Sequence, residues 1–122
     1  MKKILIVEDE APLLKALSQK FQHAGFEVLE ARNGEEGLSV ALQKKPDLIL
    51  LDIVMPKIDG LSFAKEIRKD EWGSSVPIVI LTNLSDPDQV AEAAKFEVYD
   101  FLVKTDWRLD DIVNFIKEKL DV

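Results

Sequence analysis

Five polar side chains that could take part in phosphoryl or metal-ion chemistry each follow a short apolar run. They comprise three acids, one hydroxyl and one amine: Glu8, Asp9, Asp52, Thr82 and Lys104. Carboxylates held close together repel one another, and a hard divalent cation such as Mg²⁺ relieves that repulsion through oxygen ligands. A carboxylate at a rigid strand end can also attack phosphorus and form an acyl phosphate. The metal ion, the ammonium and the hydroxyl would then stabilise charge on the transferred group, so these residue types favour phosphoryl transfer to an aspartate.

Strands and helices are predicted to alternate around these residues. Apolar runs bounded by polar or turn residues predict buried parallel strands, and they cover residues 4–7, 26–29, 48–51, 76–81 and 101–103. Helix starts are indicated at Asn33-Gly34, Asp59-Gly60 and Asp86-Pro87, and a helix C-cap at Gly25. Five strands alternating with five helices predict a doubly wound (βα)5 α/β fold whose parallel sheet is covered on both faces. With 122 residues, the chain is expected to form one domain, residues 1–122.

The carboxyl ends of the predicted strands place the polar residues on one rim of the sheet. In an open α/β sheet, ligands bind beyond those ends, where the strand order reverses. Glu8 and Asp9 follow the first strand, and Asp52, Thr82 and Lys104 follow the third, fourth and fifth. The sequence has no glycine-rich phosphate loop after the first strand, so the nucleotide-binding patterns of this fold class are missing.

Composition excludes several other classes of function. The formal net charge is −7 and the pI is near 4.7, which argues against direct binding of nucleic acid. Cysteine is absent and His23 is the single histidine, so thiol catalysis and multi-histidine metal sites are impossible. The apolar run at the N-terminus is too short for a signal peptide, and no stretch approaches a membrane span. A cytoplasmic location without membrane contact is the expectation.

Several strings, taken in order along nearly the whole chain, resemble the receiver domain of bacterial two-component response regulators. Each one is weak alone, but each falls at a predicted strand end or helix start. The strings are ILIVEDE at 4–10, PDLILLD at 46–52, MP at 55–56, DG at 59–60, PIVILT at 77–82 and DFLVK at 100–104. The resemblance, which extends to chemotaxis regulators of this type, implies a flavodoxin-like strand order of 2-1-3-4-5.

The resemblance also implies roles for individual residues. Asp52 would be the phosphoacceptor, and Mg²⁺ would be bound by Glu8, Asp9, Asp52 and the backbone carbonyl of Val54, with Asp9 the better of the acidic pair for direct contact. Thr82 would donate its hydroxyl to the phosphoryl group. These roles make the chain a signalling switch that catalyses its own phosphorylation, rather than an enzyme that turns over.

Two further residues complete the implied switch. Lys104 would pair with the phosphoryl group, and Phe101, three residues earlier, would be the switch aromatic, rather than Tyr99. Together with Thr82, Phe101 would couple the site to a surface formed by the fourth helix, the fifth strand and the fifth helix. Val54 and Leu84, both apolar, would flank the path of an attacking water and are expected to slow loss of the phosphate.

The sequence departs from the family pattern at a few positions. Thr105 stands where the family usually has proline, and Asn83 stands where a small residue is usual. Glu97-Val98 replaces the Gly-Ala that commonly precedes the fifth strand, and the ring of Phe101 has no hydroxyl.

The implied phosphodonor is a sensor histidine kinase or a histidine phosphotransfer protein. A downstream protein or an output domain would receive the signal, and the chain would be a monomer or a phosphorylation-linked dimer. Two alternatives stay open. One is a pseudo-receiver that serves only as an interaction module. The other, disfavoured because Val54 occupies the position of the second acid, is a dehalogenase-type phosphatase. A flavodoxin-like FMN binder is the least favoured reading.

Overall fold

A single parallel sheet forms the centre of the molecule in the computed structural model, which describes residues 1–53, 59–83 and 87–122. Its strands, in chain order, are β1 (Lys3–Val7), β2 (Glu27–Ala31), β3 (Leu48–Leu51), β4 (Ile78–Thr82) and β5 (Asp100–Val103). The sheet order is β2-β1-β3-β4-β5, and every neighbouring pair is parallel. The predicted α/β fold and its 2-1-3-4-5 order are therefore confirmed.

In the described residues, five α-helices connect or follow the strands, as predicted. They are α1 (Ala11–His23), α2 (Gly34–Lys44), α3 (Gly60–Lys69), α4 (Pro87–Ala94) and α5 (Leu109–Leu120). The side chains of Asn33 and Asp59 cap α2 and α3 by accepting hydrogen bonds from backbone N–H groups of the first turn. Gly25, just after α1, has a φ of 96°, which glycine adopts without steric cost. None of the described helices is long and apolar enough to cross a bilayer.

The sheet is covered on both faces because successive residues of each buried strand point in opposite directions. Leu48 and Leu50 pack with α1 and α5, and Ile49 and Leu51 pack with α3. Trp72 packs against the α3 layer and Trp107 against the α1 and α5 layer. All four residues of β3 are buried, so this central strand is fixed from both sides.

Strand boundaries differ from the sequence prediction in four of the five strands. β1 and β5 each begin one residue earlier than expected, at Lys3 and Asp100. β2 begins one residue later than expected and continues to Ala31, because Glu27 and its successors pair with β1 as far as Val7. β4 begins at Ile78 rather than at Val76, since Pro77 has no N–H to give to a sheet. Thr82 is consequently the last residue of β4 and does not follow it.

Candidate functional site

Asp52 lies at the carboxyl end of the central strand β3 and is buried. Its backbone N–H donates to the Val7 carbonyl oxygen at 3.1 Å, so the β1–β3 pairing continues to this residue. Gly60, the first residue of α3, lies directly against it. A Cβ on Gly60 would be 2.7 Å from Ile53 Cα and 2.8 Å from the Asp52 carbonyl oxygen. A residue without a side chain therefore lets α3 start close to the acid.

Glu8 extends β1 on the neighbouring side and is only 2% exposed. Its backbone N–H donates to the Ala31 carbonyl oxygen, and its carboxylate accepts from the Glu10 N–H at 3.1 Å. Burial raises the pKa of the Glu8 carboxyl above its ordinary value, although hydrogen bonds from Lys104 and Glu10 oppose the shift. The side chain is thus oriented by two donors in a poorly hydrated place.

Lys104 reaches the site from the end of β5, and its side chain is 9% exposed. Its Nζ lies 2.9 Å from Glu8 Oε1, 3.1 Å from Asp52 Oδ2 and 3.7 Å from Glu10 Oε1. Burial alone would lower the pKa of this ammonium, but hydrogen bonds to Glu8 and Asp52 raise it above its ordinary value. Lys104 is therefore a cation at neutral pH. It lies between the Glu8 and Asp52 carboxylates, which would otherwise repel one another.

An acidic cluster lies at the same rim. Glu8, Asp9 and Asp52 each present a carboxylate oxygen, and the three oxygens lie within 4.8 Å of one another. Among the described residues, three carboxylates lie near the single ammonium of Lys104, so their negative charge is in excess. An all-oxygen set with two buried members and one half-buried member suits a hard divalent cation such as Mg²⁺. The residues present therefore fit a metal site of the predicted kind.

Thr82 and Lys104 lie at the ends of adjacent strands. Thr82 pairs with Val103, the residue before Lys104, and its side chain is buried. Since β4 also pairs with β3, the sheet brings Thr82, Lys104 and Asp52 to one edge. Asn83 follows as an exposed residue.

The two aromatic residues of the fifth strand region differ in burial. Tyr99 is 69% exposed, whereas Phe101 is partly buried against the α3-side core. This placement is compatible with the switch role expected for Phe101, which stays a prediction. Thr105 belongs to a short 3-10 turn, Lys104–Asp106, and the Lys104–Thr105 peptide bond is trans.

Other expectations fall outside the described residues. Val54, expected to supply a backbone carbonyl to the metal, lies there, as do Leu84 and the helix-cap residue Asp86. Within the described part, two further residues were not among the predicted site residues. The Glu10 N–H orients the Glu8 carboxylate, and Glu10 Oε1 approaches Lys104. Arg68 donates to backbone carbonyls in the segments before β4 and β5, and no sequence motif indicates the contacts of either residue.

Comparisons with known proteins agree with this geometry. Residues 4–117 match the family model described as the response regulator receiver domain. The phosphate regulon transcriptional regulatory protein PhoB of Pseudomonas aeruginosa is 36% identical over 84% of this chain and 45% of its own length. Protein PilH of the same organism is 34% identical over 85% of this chain and 86% of its own.

Comparison with solved structures shows the same fold. Chemotaxis protein CheY4 of Vibrio cholerae superposes with a TM-score of 0.90 at 29% identity, covering 97% of this chain and 98% of that one. The chain spans less than half the length of PhoB and of the other transcriptional regulators first matched. The fold, the acidic pocket with its lysine and the family match together show that this chain belongs to the response regulator receiver family of two-component systems.

Proposed function

We propose that residues 1–122 act as one phosphoacceptor receiver domain, with Asp52 as the residue that carries the phosphoryl group. The observation that carries the proposal is the position of Lys104 Nζ, within 3.1 Å of both Glu8 and Asp52 beside a three-carboxylate cluster. The chain's family membership supports the same role. A domain of this kind is a signalling module that gains and loses a phosphoryl group, and it is not an enzyme that turns over a substrate.

The phosphodonor would be the phosphohistidine of a sensor kinase or of a phosphotransfer protein. A carboxylate oxygen of Asp52 attacks phosphorus, a P–O bond forms as the P–N bond breaks, and the bonding electron pair returns to the imidazole nitrogen. Mg²⁺, held by Glu8, Asp9 and Asp52 with the proposed help of the Val54 carbonyl, would neutralise charge on the transferring oxygens.

This chain's own residues supply the remaining groups. Lys104 contacts Asp52 and would pair with an oxygen of the new acyl phosphate. Thr82, at the end of the adjacent strand, would donate its hydroxyl to a second oxygen. The glycine at position 60 keeps the start of α3 clear of side-chain bulk next to the acid.

The output would be a change in the surface formed by α4, β5 and α5. An acyl phosphate adds roughly 1.5–2 negative charges, as for other phosphorylated side chains, to a rim that is already acidic. Movement of Thr82 toward the new oxygens would leave space into which Phe101 could turn, which biases a two-state element. A downstream protein or an output domain would sense the change, with the chain monomeric or dimerising on phosphorylation. The printed names of longer relatives, such as the transcriptional regulator PhoB, support an output domain.

The test is incubation with Mg²⁺ and acetyl phosphate, followed by intact mass spectrometry. We expect a gain of about 80 Da, the mass of one phosphoryl group, in the wild type and its loss in Asp52→Asn. Asp106→Asn, the same substitution at an exposed residue near Lys104, is the matched control and should still be phosphorylated. A folded wild type that neither gains mass nor responds to beryllofluoride would contradict the proposal and favour the pseudo-receiver alternative.

A further inference from the structure

Arg68, in the last turn of α3, binds four backbone carbonyls from two separate loops. Its Nη1 donates to the Gly73 and Val76 oxygens at 2.8 and 2.6 Å, just before β4. Its Nε donates to the Phe96 oxygen at 2.8 Å and its Nη2 to the Glu97 oxygen at 3.3 Å, just before β5. A guanidinium has five N–H donors in a rigid fork, so one side chain ties the approaches to both strands together.

The turn that receives two of these bonds is strained. The Val98 N–H donates to the Ala93 oxygen and the Glu97 N–H to the Ala94 oxygen, which is the pattern of a Schellman turn. Its left-handed position is usually glycine, but here it is Glu97, with a φ of 58°. Burial lowers the pKa of Arg68 below its ordinary value, and the nearby Glu97 charge opposes that shift. Arg68 therefore holds a turn that a non-glycine residue adopts only at a cost in conformational free energy.

The strand after this turn has few other restraints. β5 lies at the edge of the sheet, pairs with β4, has four residues, and buries only Leu102 fully. A short edge strand with little burial has a weakly specified register. Within the described part of the chain, the start of β5 is also held by an ion pair between Asp100 and Lys119, at 2.6 Å. Lys104 follows directly after β5, so a displacement of this strand moves the ammonium away from the acidic cluster.

We propose that Arg68 is a positioning residue for the phosphorylation site: by holding the Phe96 and Glu97 carbonyls it fixes the entry to β5 and hence the place of Lys104 beside Asp52. Arg68 touches none of the reacting groups and acts through the backbone. The effect on phosphorylation rests on the proposed function, whereas the effect on β5 does not.

The test compares Arg68→Lys with Lys69→Gln, a change on the same helical turn in an exposed pair with Glu66. Lysine keeps the charge but has one compact ammonium that cannot span four carbonyls. We expect amide hydrogen exchange at Leu102 and Val103 to rise about tenfold in Arg68→Lys, as for a locally opened segment. The phosphorylation rate should fall about tenfold, as misplaced catalytic groups do. Mg²⁺ affinity should not fall, because its carboxylates follow β1 and β3 and a displaced ammonium competes less with the ion for them.

A rescue variant separates positioning from general stability. Adding Glu97→Gly to Arg68→Lys supplies the residue that the left-handed turn prefers, so protection of β5 and the phosphorylation rate should partly recover. Exchange and rate in Arg68→Lys equal to those of Lys69→Gln would overturn the proposal. A parallel fall in rate and Mg²⁺ affinity without rescue would overturn it too, because it indicates global destabilisation. If the wild type is never phosphorylated, the proposed function fails, while exchange at Leu102 and Val103 still decides whether Arg68 positions β5.

Discussion

The two halves of the candidate site are built in different ways. The acidic half comes from β1 and β3, the central strands, where Glu8 and Asp52 are held by backbone hydrogen bonds to neighbouring strands. The other half comes from β4 and β5, where Lys104 follows a short edge strand that depends on side-chain ties such as Arg68. An acidic half held by backbone hydrogen bonds thus faces a lysine half with fewer restraints. Such a division would suit the proposed switch, because the group proposed to pair with the phosphoryl oxygens is the one with fewer restraints.

Removing the ammonium that joins the two halves should have the largest effect. Lys104→Met removes the ammonium that lies against the buried carboxylates of Glu8 and Asp52, which should lower the free energy of unfolding by about 3 kcal/mol without Mg²⁺. Saturating Mg²⁺ should restore part of that loss, because the ion neutralises the same charges. Urea unfolding with and without Mg²⁺ measures both values. An equal loss in the two buffers would show that the metal and the lysine do not share these carboxylates.

The tightness of the acidic half can be tested at Gly60. Gly60→Ala places a Cβ within 2.8 Å of backbone atoms of Asp52 and Ile53, so we expect a loss of unfolding free energy of about 2 kcal/mol through overpacking. Gly25→Ala is the control, since its Cβ would meet no atom within 4 Å and only its positive φ is penalised. That control should lose about 1 kcal/mol. Urea unfolding that ranks Gly25→Ala as the more harmful change would refute the close approach of α3 to the acid.

A smaller, pH-dependent effect is expected at Glu8. Burial raises the pKa of the Glu8 carboxyl in the folded state above the ordinary 4.5. The folded protein therefore binds the proton of this carboxyl more tightly than the unfolded chain does. The associated stability is present below pH 4.5 and is lost as the pH rises through the folded pKa. In metal-free buffer, the stability of wild type relative to Glu8→Gln should therefore fall as the pH rises above 4.5. An advantage of wild type that grows over this range would contradict the sign of the shift.

The smallest effects should come from surface ion pairs, and they should rank by exposure. Lys119→Met breaks the half-buried pair with Asp100 at the start of β5 and should cost about 0.5–1 kcal/mol of unfolding free energy. Lys20→Met breaks a more exposed pair with Asp110 and should cost less, because solvent screens that pair more strongly. Urea unfolding at low and high salt compares the two losses, and the first loss should depend on salt less. Equal losses would mean that the Lys119–Asp100 pair stabilises the fold no more than the exposed Lys20–Asp110 pair does.

Local sequence signals predicted the acidic half well. The unbroken apolar run before Asp52 indicated a buried strand, and Asp59-Gly60 indicated the helix start that packs against it. Both features depend on neighbours in the chain, which is why pattern and capping rules suffice for them.

The lysine half was predicted less completely, because its restraints connect distant residues. Arg68 meets Phe96 across 28 positions, and no periodic pattern marks such a contact. The expected start of β4 at Val76 was wrong for a related reason, since the Val76 carbonyl accepts from Arg68 and Pro77 offers no donor. Glu97 was noted as a departure from Gly-Ala, but only the backbone angles show that it occupies a left-handed turn.

The placement of the two tryptophans has a practical consequence for spectroscopy. Trp72 packs on the α3 side of the sheet, and Trp107 packs on the other side, with its ring edge-to-face against Phe115 at 5.5 Å and 78°. Trp107 is three residues beyond Lys104, so its fluorescence should respond to events at the lysine end of the site. Emission from a Trp72→Phe variant would then come from Trp107 alone, and a titration with Mg²⁺ or a phosphodonor could follow that side of the molecule without an added label.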